Sequence, residues 1–305
     1  MPDFDAANTR YVPGATGPGS SPTEAWRYCL PEDGGFYGPP VVRGGTMYTV
    51  EEQPLRARDA SDGPVEWKLG RARGGHYDEP TVMEDAIYLA YDADPPGLLA
   101  VARADGSVEW SKQLGKETLT SRVLVHDRTI YGKSSGPDTK LRQAFSTADG
   151  TERFRTEHDF STVLAAVDET LVAGLETGSI VALSTRDGSE RWRVQTEGGQ
   201  FSTPTIANGT VYVARFSDDA SGGNADLRAL RLSDGTLRWR SSFETGTEIR
   251  GLAVGNGAVY AVKHVKLEGR GHSDRLRRRR RDTALAVRRP LDGFTGRHRR
   301  DRLRY

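Results

Sequence analysis

Six histidines (His76, His126, His158, His264, His272 and His298) and one cysteine, Cys29, are the side chains best suited to metal ligation or nucleophilic chemistry. None of the histidines stands in an HxH or HExxH spacing, so no pair is placed to share a metal ion. His126 and His158 fall in or beside turns, where a histidine is ordinarily solvated. A lone cysteine rules out an intrachain disulfide, a paired-cysteine zinc site and haem attachment. No GxSxG elbow or phosphate-binding glycine loop occurs, and no DxDxDG calcium loop. Adjacent carboxylates such as Glu51 and Glu52 would point to opposite faces of a strand, which is poor geometry for acid–base work. The sequence therefore names no catalytic residue, no metal ligand and no cofactor, and the chain reads as a non-enzyme.

What does recur is structural. A hexamer of Asp-Gly followed four residues on by an aromatic appears as DGPVEW, DGSVEW, DGTERF, DGSERW and DGTLRW, ending at Trp67, Trp110, Phe154, Trp192 and Trp239. A sixth copy, PTEAW ending at Trp26, lacks the Asp-Gly turn. In phase with these run YGPPVV from Tyr37, YDEPTV from Tyr77, LTSRVL from Leu119, FSTVLA from Phe160, FSTPTI from Phe201 and IRGLAV from Ile249. Each then passes through a short turn into a second β-type segment such as NGTVYVA or NGAVYAV, where Asn and Gly tolerate positive φ. A third segment leads into Asp-Gly, and a fourth carries the aromatic, with apolar and polar residues roughly alternating.

Each unit of about 41 residues thus reads as four short antiparallel strands, and no apolar 3.6 period is long enough for a helix. A lone four-stranded meander cannot bury both faces, so the units must stack. Radial stacking predicts an all-β β-propeller of four-stranded blades. Two β-sandwich domains would explain short strands but not the fixed recurrence of DGxxxW. The count gives about six blades, the last completed across the termini by the Trp26 strand with TALAVRRP as a poor third strand. An incomplete seven- or eight-bladed ring is the alternative. Trp26, Trp67, Trp110, Phe154, Trp192 and Trp239 are expected to insert between neighbouring blades rather than to stack on a ligand.

The stretches Ala57 to Trp67 (ARDASDGPVEW), Ala182 to Trp192 (ALSTRDGSERW) and Ala229 to Trp239 (ALRLSDGTLRW) resemble the tryptophan-docking motif of PQQ-type quinoprotein propellers, A-x-D-x-x-T-G-x-x-x-W. Ala144 to Phe154 is a looser copy, and no Trp-Asp dipeptide of the WD40 type occurs. The resemblance covers roughly residues 22–266 and extends to PQQ-like repeat proteins and the BamB type of assembly scaffold. The opening DAANTRYVPGATGP also resembles haloarchaeal members. A quinoprotein dehydrogenase of this kind carries a vicinal cysteine disulfide, a calcium site and a catalytic aspartate. A single cysteine cannot supply the first, so bound PQQ is not expected.

The implied function is a scaffold that binds a protein partner, or a small ligand, through loops at one face. Connections from each outer strand to the next first strand would place Phe36, Tyr37, His76, Tyr77, Phe160, Gln200 and Phe201 near a channel mouth. On a second reading Tyr37, Tyr77, Phe160 and Phe201 are strand-start core residues, leaving Phe36, His76 and Gln200 exposed. A PQQ-dependent alcohol or sugar dehydrogenase and a ligand-sensing module are the alternatives.

Charge divides the chain. Residues 269–305 hold 14 arginines and four aspartates, which leaves residues 1–268 with 29 basic and 38 acidic residues, a net charge of −9. An acidic, lysine-poor body argues against a nucleic-acid face on it. The expected organisation is an extended segment over 1–21, the propeller over 22–268 and an Arg-rich tail over 269–305. Three readings of the tail stand: an out-of-frame or truncated reading of the gene, a solvated disordered end, or an arm for polyanions. No apolar run is long enough to span a membrane. The start lacks a basic n-region and an apolar h-region, so the chain as written reads as cytoplasmic, and as extracytoplasmic if its start is truncated. It is expected to be a monomer.

Overall fold

A computed structural model of the chain describes residues 24–29, 35–36, 38–51, 54–70, 75–114, 118–119, 122–135, 142–162, 164–216, 225–243, 247–255, 258–265 and 282–287. The expected 1–21 segment, Tyr37 and most of the 269–305 tail lie outside them. Among the described residues there is no helix, and so none long and apolar enough to cross a membrane. The chain divides into two compact units between His158 and Asp159.

The first unit holds three antiparallel meanders. Sheet I is β1 (Val41–Arg43), β2 (Thr46–Val50), β3 (Leu55–Asp59) and β4 (Val65–Leu69). Sheet II is β5 (His76–Tyr77), β6 (Thr81–Val82), β7 (Ala86–Asp92), β8 (Gly97–Ala102) and β9 (Val108–Gln113), with β5 and β6 both paired to β7. Sheet III repeats this with β10 (Thr118–Leu119), β11 (Leu124–His126), β12 (Thr129–Ser135), β13 (Arg142–Ser146) and β14 (Glu152–Thr156).

The second unit holds three more. Sheet IV is β15 (Ala165–Val167), β16 (Thr170–Gly174), β17 (Ser179–Ser184) and β18 (Glu190–Gln195). Sheet V is β19 (Gln200–Phe201), β20 (Thr205–Ala207), β21 (Thr210–Phe216), β22 (Asp226–Arg231) and β23 (Leu237–Ser242). Sheet VI has β24 (Thr247–Gly255), β25 (Ala258–Val265) and β26 (Asp282–Val287). The β26 strand falls inside the segment expected as a tail and supplies the third strand that TALAVRRP suggested.

Side chains alternate across a strand, so a sheet packed on both sides needs apolar residues in both phases. Sheet II meets this with AIYLAY and LLAV. Ile87, Leu89, Leu99 and Val101 pack with Tyr48, Val50, Leu55 and Ala57 of sheet I. Tyr88, Ala90, Leu98 and Ala100 face the other way, onto Val123, Val125, Ile130 and Phe145 of sheet III. Sheet V repeats the device: Val211, Val213 and Leu230 pack with sheet IV, while Tyr212, Ala214, Leu227 and Ala229 join Ile249, Leu252 and Val259 of sheet VI.

The hexamers account for the joints. In each Asp-Gly turn the glycine N–H bonds back to the carbonyl four residues earlier, as Gly106 does to Ala102, and the glycine takes a positive φ, +74° at Gly106. Asp105, Asp149, Asp187 and Asp234 each accept the backbone N–H and the hydroxyl of the Ser or Thr two residues on. In the first copy Pro64 has no N–H to offer, and Asp59 accepts from Ser61 instead. The outer-strand indole of the preceding sheet lies on the next turn. Trp67 Nε1 donates to the Arg103 carbonyl at 3.1 Å, Trp110 to Thr147 at 2.9 Å and Trp192 to Leu232 at 2.8 Å. Trp26 does the same to Ala60 at 3.0 Å, although Glu24 to Cys29 is not itself a strand. A Cβ on Gly106 would stand 2.5 Å from the Trp67 ring, and one on Gly150 2.7 Å from Trp110.

Within a sheet, the aromatic always pairs with an alanine: Ala57 with Trp67, Ala100 with Trp110, Ala144 with Phe154, Ala182 with Trp192 and Ala229 with Trp239. The small residue lets the ring reach a tyrosine one strand further in, with centroids about 6 Å apart for Tyr48–Trp67, Tyr88–Trp110, Tyr131–Phe154 and Tyr212–Trp239. Trp110→Ala should lower stability by about 3–5 kcal/mol. Trp110→Phe, which loses the indole donor, should cost about 1–2 kcal/mol. Gly150→Ala should fall between them, because it sets a methyl against the same ring at a positive φ. Urea midpoints followed by circular dichroism check the order, and an unchanged Trp110→Ala midpoint would contradict the packing.

Candidate functional site

In sheets I to V the first strand is broken, in sheet VI it bulges between Ile249 and Gly251, and the irregularity has a fixed form. A large apolar residue bridges to the position three residues beyond the row that faces the alanine. Tyr77 pairs with Tyr91, Leu119 with Ser134, Phe160 with Leu175, Phe201 with Arg215 and Ile249 with Lys263. In sheet I the bridging residue is Phe36, opposite Glu51. The sequence alignment that set Tyr37 beside Tyr77 is therefore shifted by one. Gly38, at φ +97°, and the pair Pro39-Pro40 take up the extra residue.

After the anchor the chain leaves the ladder. Pro80 and Pro204 remove N–H groups there, which ends pairing. Side chains repair part of the gap: the Thr162 hydroxyl oxygen accepts the Gly174 N–H at 2.9 Å, and that of Ser202 accepts the Ala214 N–H at 3.0 Å. Tyr77, Phe160 and Phe201 are buried, at 3%, 1% and 6% exposure. Tyr77 donates its hydroxyl to the Gly70 carbonyl at 2.9 Å, and burial pushes that phenol up to about 12. The Phe201 ring lies on Gly174, where a Cβ would come within 2.7 Å. These three rings are thus occupied by packing. Phe36 is 48% exposed, Gln200 is exposed and His76 is half-buried.

In the first unit the segment after Tyr77 is charged. Burial raises the Asp78 carboxyl to about 6, with Asp92 and Glu79 adding to the rise and His76 opposing it. Glu79 pairs with Arg122 at 3.1 Å, both largely buried, and Gly38 approaches the Glu79 side chain so closely that a Cβ would meet it at 3.2 Å. Thr81 donates its hydroxyl to the Val123 carbonyl. Among the described residues no three His, Cys, Asp or Glu side chains are grouped to hold a metal ion. With one cysteine in the chain, the donor set of a quinone–calcium centre does not fit these residues.

A family model described as outer membrane protein assembly factor BamB matches residues 20–142 and 137–261. The chain belongs to this BamB family. Among solved structures, BamB from Moraxella catarrhalis aligns at 16% identity and TM-score 0.56, covering 73% of this chain and 68% of that one. The computationally designed Ika8 protein aligns at 10% identity and TM-score 0.58 (73% and 66%), and the C-terminal WD40 domain of Sif2 at 14% and 0.55 (78% and 69%). At such identities the likeness shows the fold alone, an all-β propeller built of four-stranded antiparallel blades. No curated protein matches the sequence.

Two buried charge clusters in this BamB-family chain escaped the sequence reading. In sheet I Glu51, 1% exposed, holds Arg56 and Arg58, accepts from Thr49 at 2.7 Å, and the Tyr28 ring covers the Arg58 guanidinium at 3.9 Å. In sheet V Asp226, fully buried, holds Arg215, Arg228 and Arg240. The available signal was arginine at strand positions in LRARD and LRALR where burial demands an apolar residue.

The raised Asp78 value has a definite sign. Its folded form holds a proton more tightly than the unfolded chain, whose carboxyl titrates at its ordinary value of 3.8. Stability from this group is therefore present below about pH 4 and lost as pH rises through about 6. Asp78→Asn should remove that decline and raise stability at pH 7.5 by about 1–2 kcal/mol, after discounting for partial exposure. Urea melts of both proteins at pH 4.5 and 7.5 measure the difference; equal gaps at the two values would contradict it.

Proposed function

We propose that this chain is a non-enzymatic scaffold that binds a protein partner through the connections leading from each outer strand into the next first strand. One observation carries the reading. Buried anchors at Tyr77 and Phe201 fix the backbone, while Gln200 just before Phe201 stands toward solvent, His76 just before Tyr77 is half-exposed, and the anchor Phe36 is itself exposed. Function sits on loops held by a rigid frame, and these loops are held at both ends of the bridge. The BamB family supports the reading through its description as an assembly factor. Against a quinoprotein dehydrogenase stand the single cysteine and the lack, among the described residues, of a three-ligand acidic or histidine group.

A photo-crosslinking residue placed at 36, 76 or 200 should capture one and the same protein from source-cell extract. The same residue placed at Ser107, in an Asp-Gly turn at the opposite strand ends, should not. Equal capture at both ends would defeat the proposal. So would dye reduction by the purified protein supplied with PQQ, calcium and an alcohol or sugar.

A further inference from the structure

The sheet V cluster carries more positive charge than its carboxylates cancel. Asp226 accepts from Arg215 Nε at 2.9 Å, from Arg228 Nε and Nη2, and from Arg240 Nη2 at 3.1 Å. Burial alone would raise the Asp226 carboxyl; the Arg228 hydrogen bond and charge, with Arg215 and Arg240, outweigh burial and hold it below its ordinary value. It is therefore ionised and cancels one guanidinium of three. The Arg215 and Arg228 side chains are only 6% and 10% exposed, so a surplus cation is held away from bulk water, which is costly without a counter-charge.

Among the described residues the one other carboxylate within 4.0 Å is Glu197. Its oxygen stands 3.8 Å from both Arg215 and Arg240, beyond hydrogen-bond reach, and its side chain is 72% exposed. It lies beside Gly198 and Gly199, both at positive φ, in the connection that leads into Gln200. Arg215 Nη1 holds the Gly198 carbonyl of that connection at 3.0 Å. Arg240, 35% exposed, opens the cluster to solvent.

We infer that Arg215, Arg228 and Arg240 form a binding site for an oxyanion, a carboxylate or a phosphate group, with Glu197 as its loosely held, displaceable occupant. Guanidinium forks suit such planar or tetrahedral oxygens, and Asp226 fixes all three side chains before the ligand arrives. The site stands independently of the protein-partner proposal, because it needs only a small anion.

Equilibrium dialysis of radiolabelled inorganic phosphate at constant ionic strength tests it. Wild type should bind about one phosphate per chain. Glu197→Gln should tighten binding about tenfold by removing the competing charge, and Arg240→Gln should weaken it about tenfold. Arg240→Gln should leave the melting temperature near that of wild type, since that side chain is the most exposed of the three. Succinate that competes at similar concentration assigns the site to carboxylates; failure to compete assigns it to phosphate. No saturable binding in wild type and Glu197→Gln would overturn the inference, as would phosphate binding indifferent to Arg240→Gln. Binding that emerges only after Asp218 and Asp219 are changed to Asn would also overturn it, by supplying the missing charge from the chain itself.

Discussion

An indole resting on the glycine of the next Asp-Gly turn is the contact from which the rest of each unit follows. The ring can lie there only because the glycine has no side chain, and the turn can form only because that glycine accepts a positive φ. The indole N–H closes the joint by donating to a turn carbonyl, as Trp67 does to Arg103 and Trp192 to Leu232. The pairing of each aromatic with an alanine then lets a tyrosine meet it from within sheets I, II, III and V, where sheet IV has Val172 in that row. One short sequence therefore fixes the turn, the outer strand, the sheet-to-sheet spacing and an aromatic contact inside the sheet.

This economy explains why the fold was legible in the sequence and much of the site was not. The DGxxxW series, the Asn208-Gly209 turn and the doubly apolar runs AIYLAY and VYVA each state a local rule, and the sheets obey them. The anchor register was read one residue out at Tyr37, because Gly38 and two prolines lengthen the first connection and no local pattern announces where pairing resumes. The clusters at Glu51 and Asp226 join strands through side chains, and which carboxylate meets which arginine depends on register rather than on spacing. Arginines in LRARD and LRALR were the visible trace.

Buried charge in a propeller sheet is a poor source of stability, since an apolar replacement of similar volume is often neutral or better. Glu51 and Asp226 are nevertheless as deeply buried as the apolar core, at 1% and 0% exposure. Both sit at the end of a strand ladder: Glu51 faces Phe36 of the first strand, and Asp226 opens the third strand in the row beside Arg215, which faces Phe201. There the apolar sandwich thins, and each carboxylate gathers arginines from neighbouring strand positions into one fixed group. Their effect is to hold the strand ends in a set arrangement under the connections that leave them.

The position facing each anchor makes the same point more sharply. Across the repeats it is Glu51, Tyr91, Ser134, Leu175, Arg215 and Lys263, with no shared chemistry. The alanine facing each aromatic, by contrast, is the same residue in five sheets. Packing between sheets needs uniformity, because every joint must reproduce the same spacing for the sheets to stack. A strand end bordered by a loop is under no such demand, so its side chains are free to differ. Where a repeat protein stops repeating, the frame no longer explains the residue. In this chain that boundary runs along the anchor positions, and Arg215, with its surplus charge, lies on it.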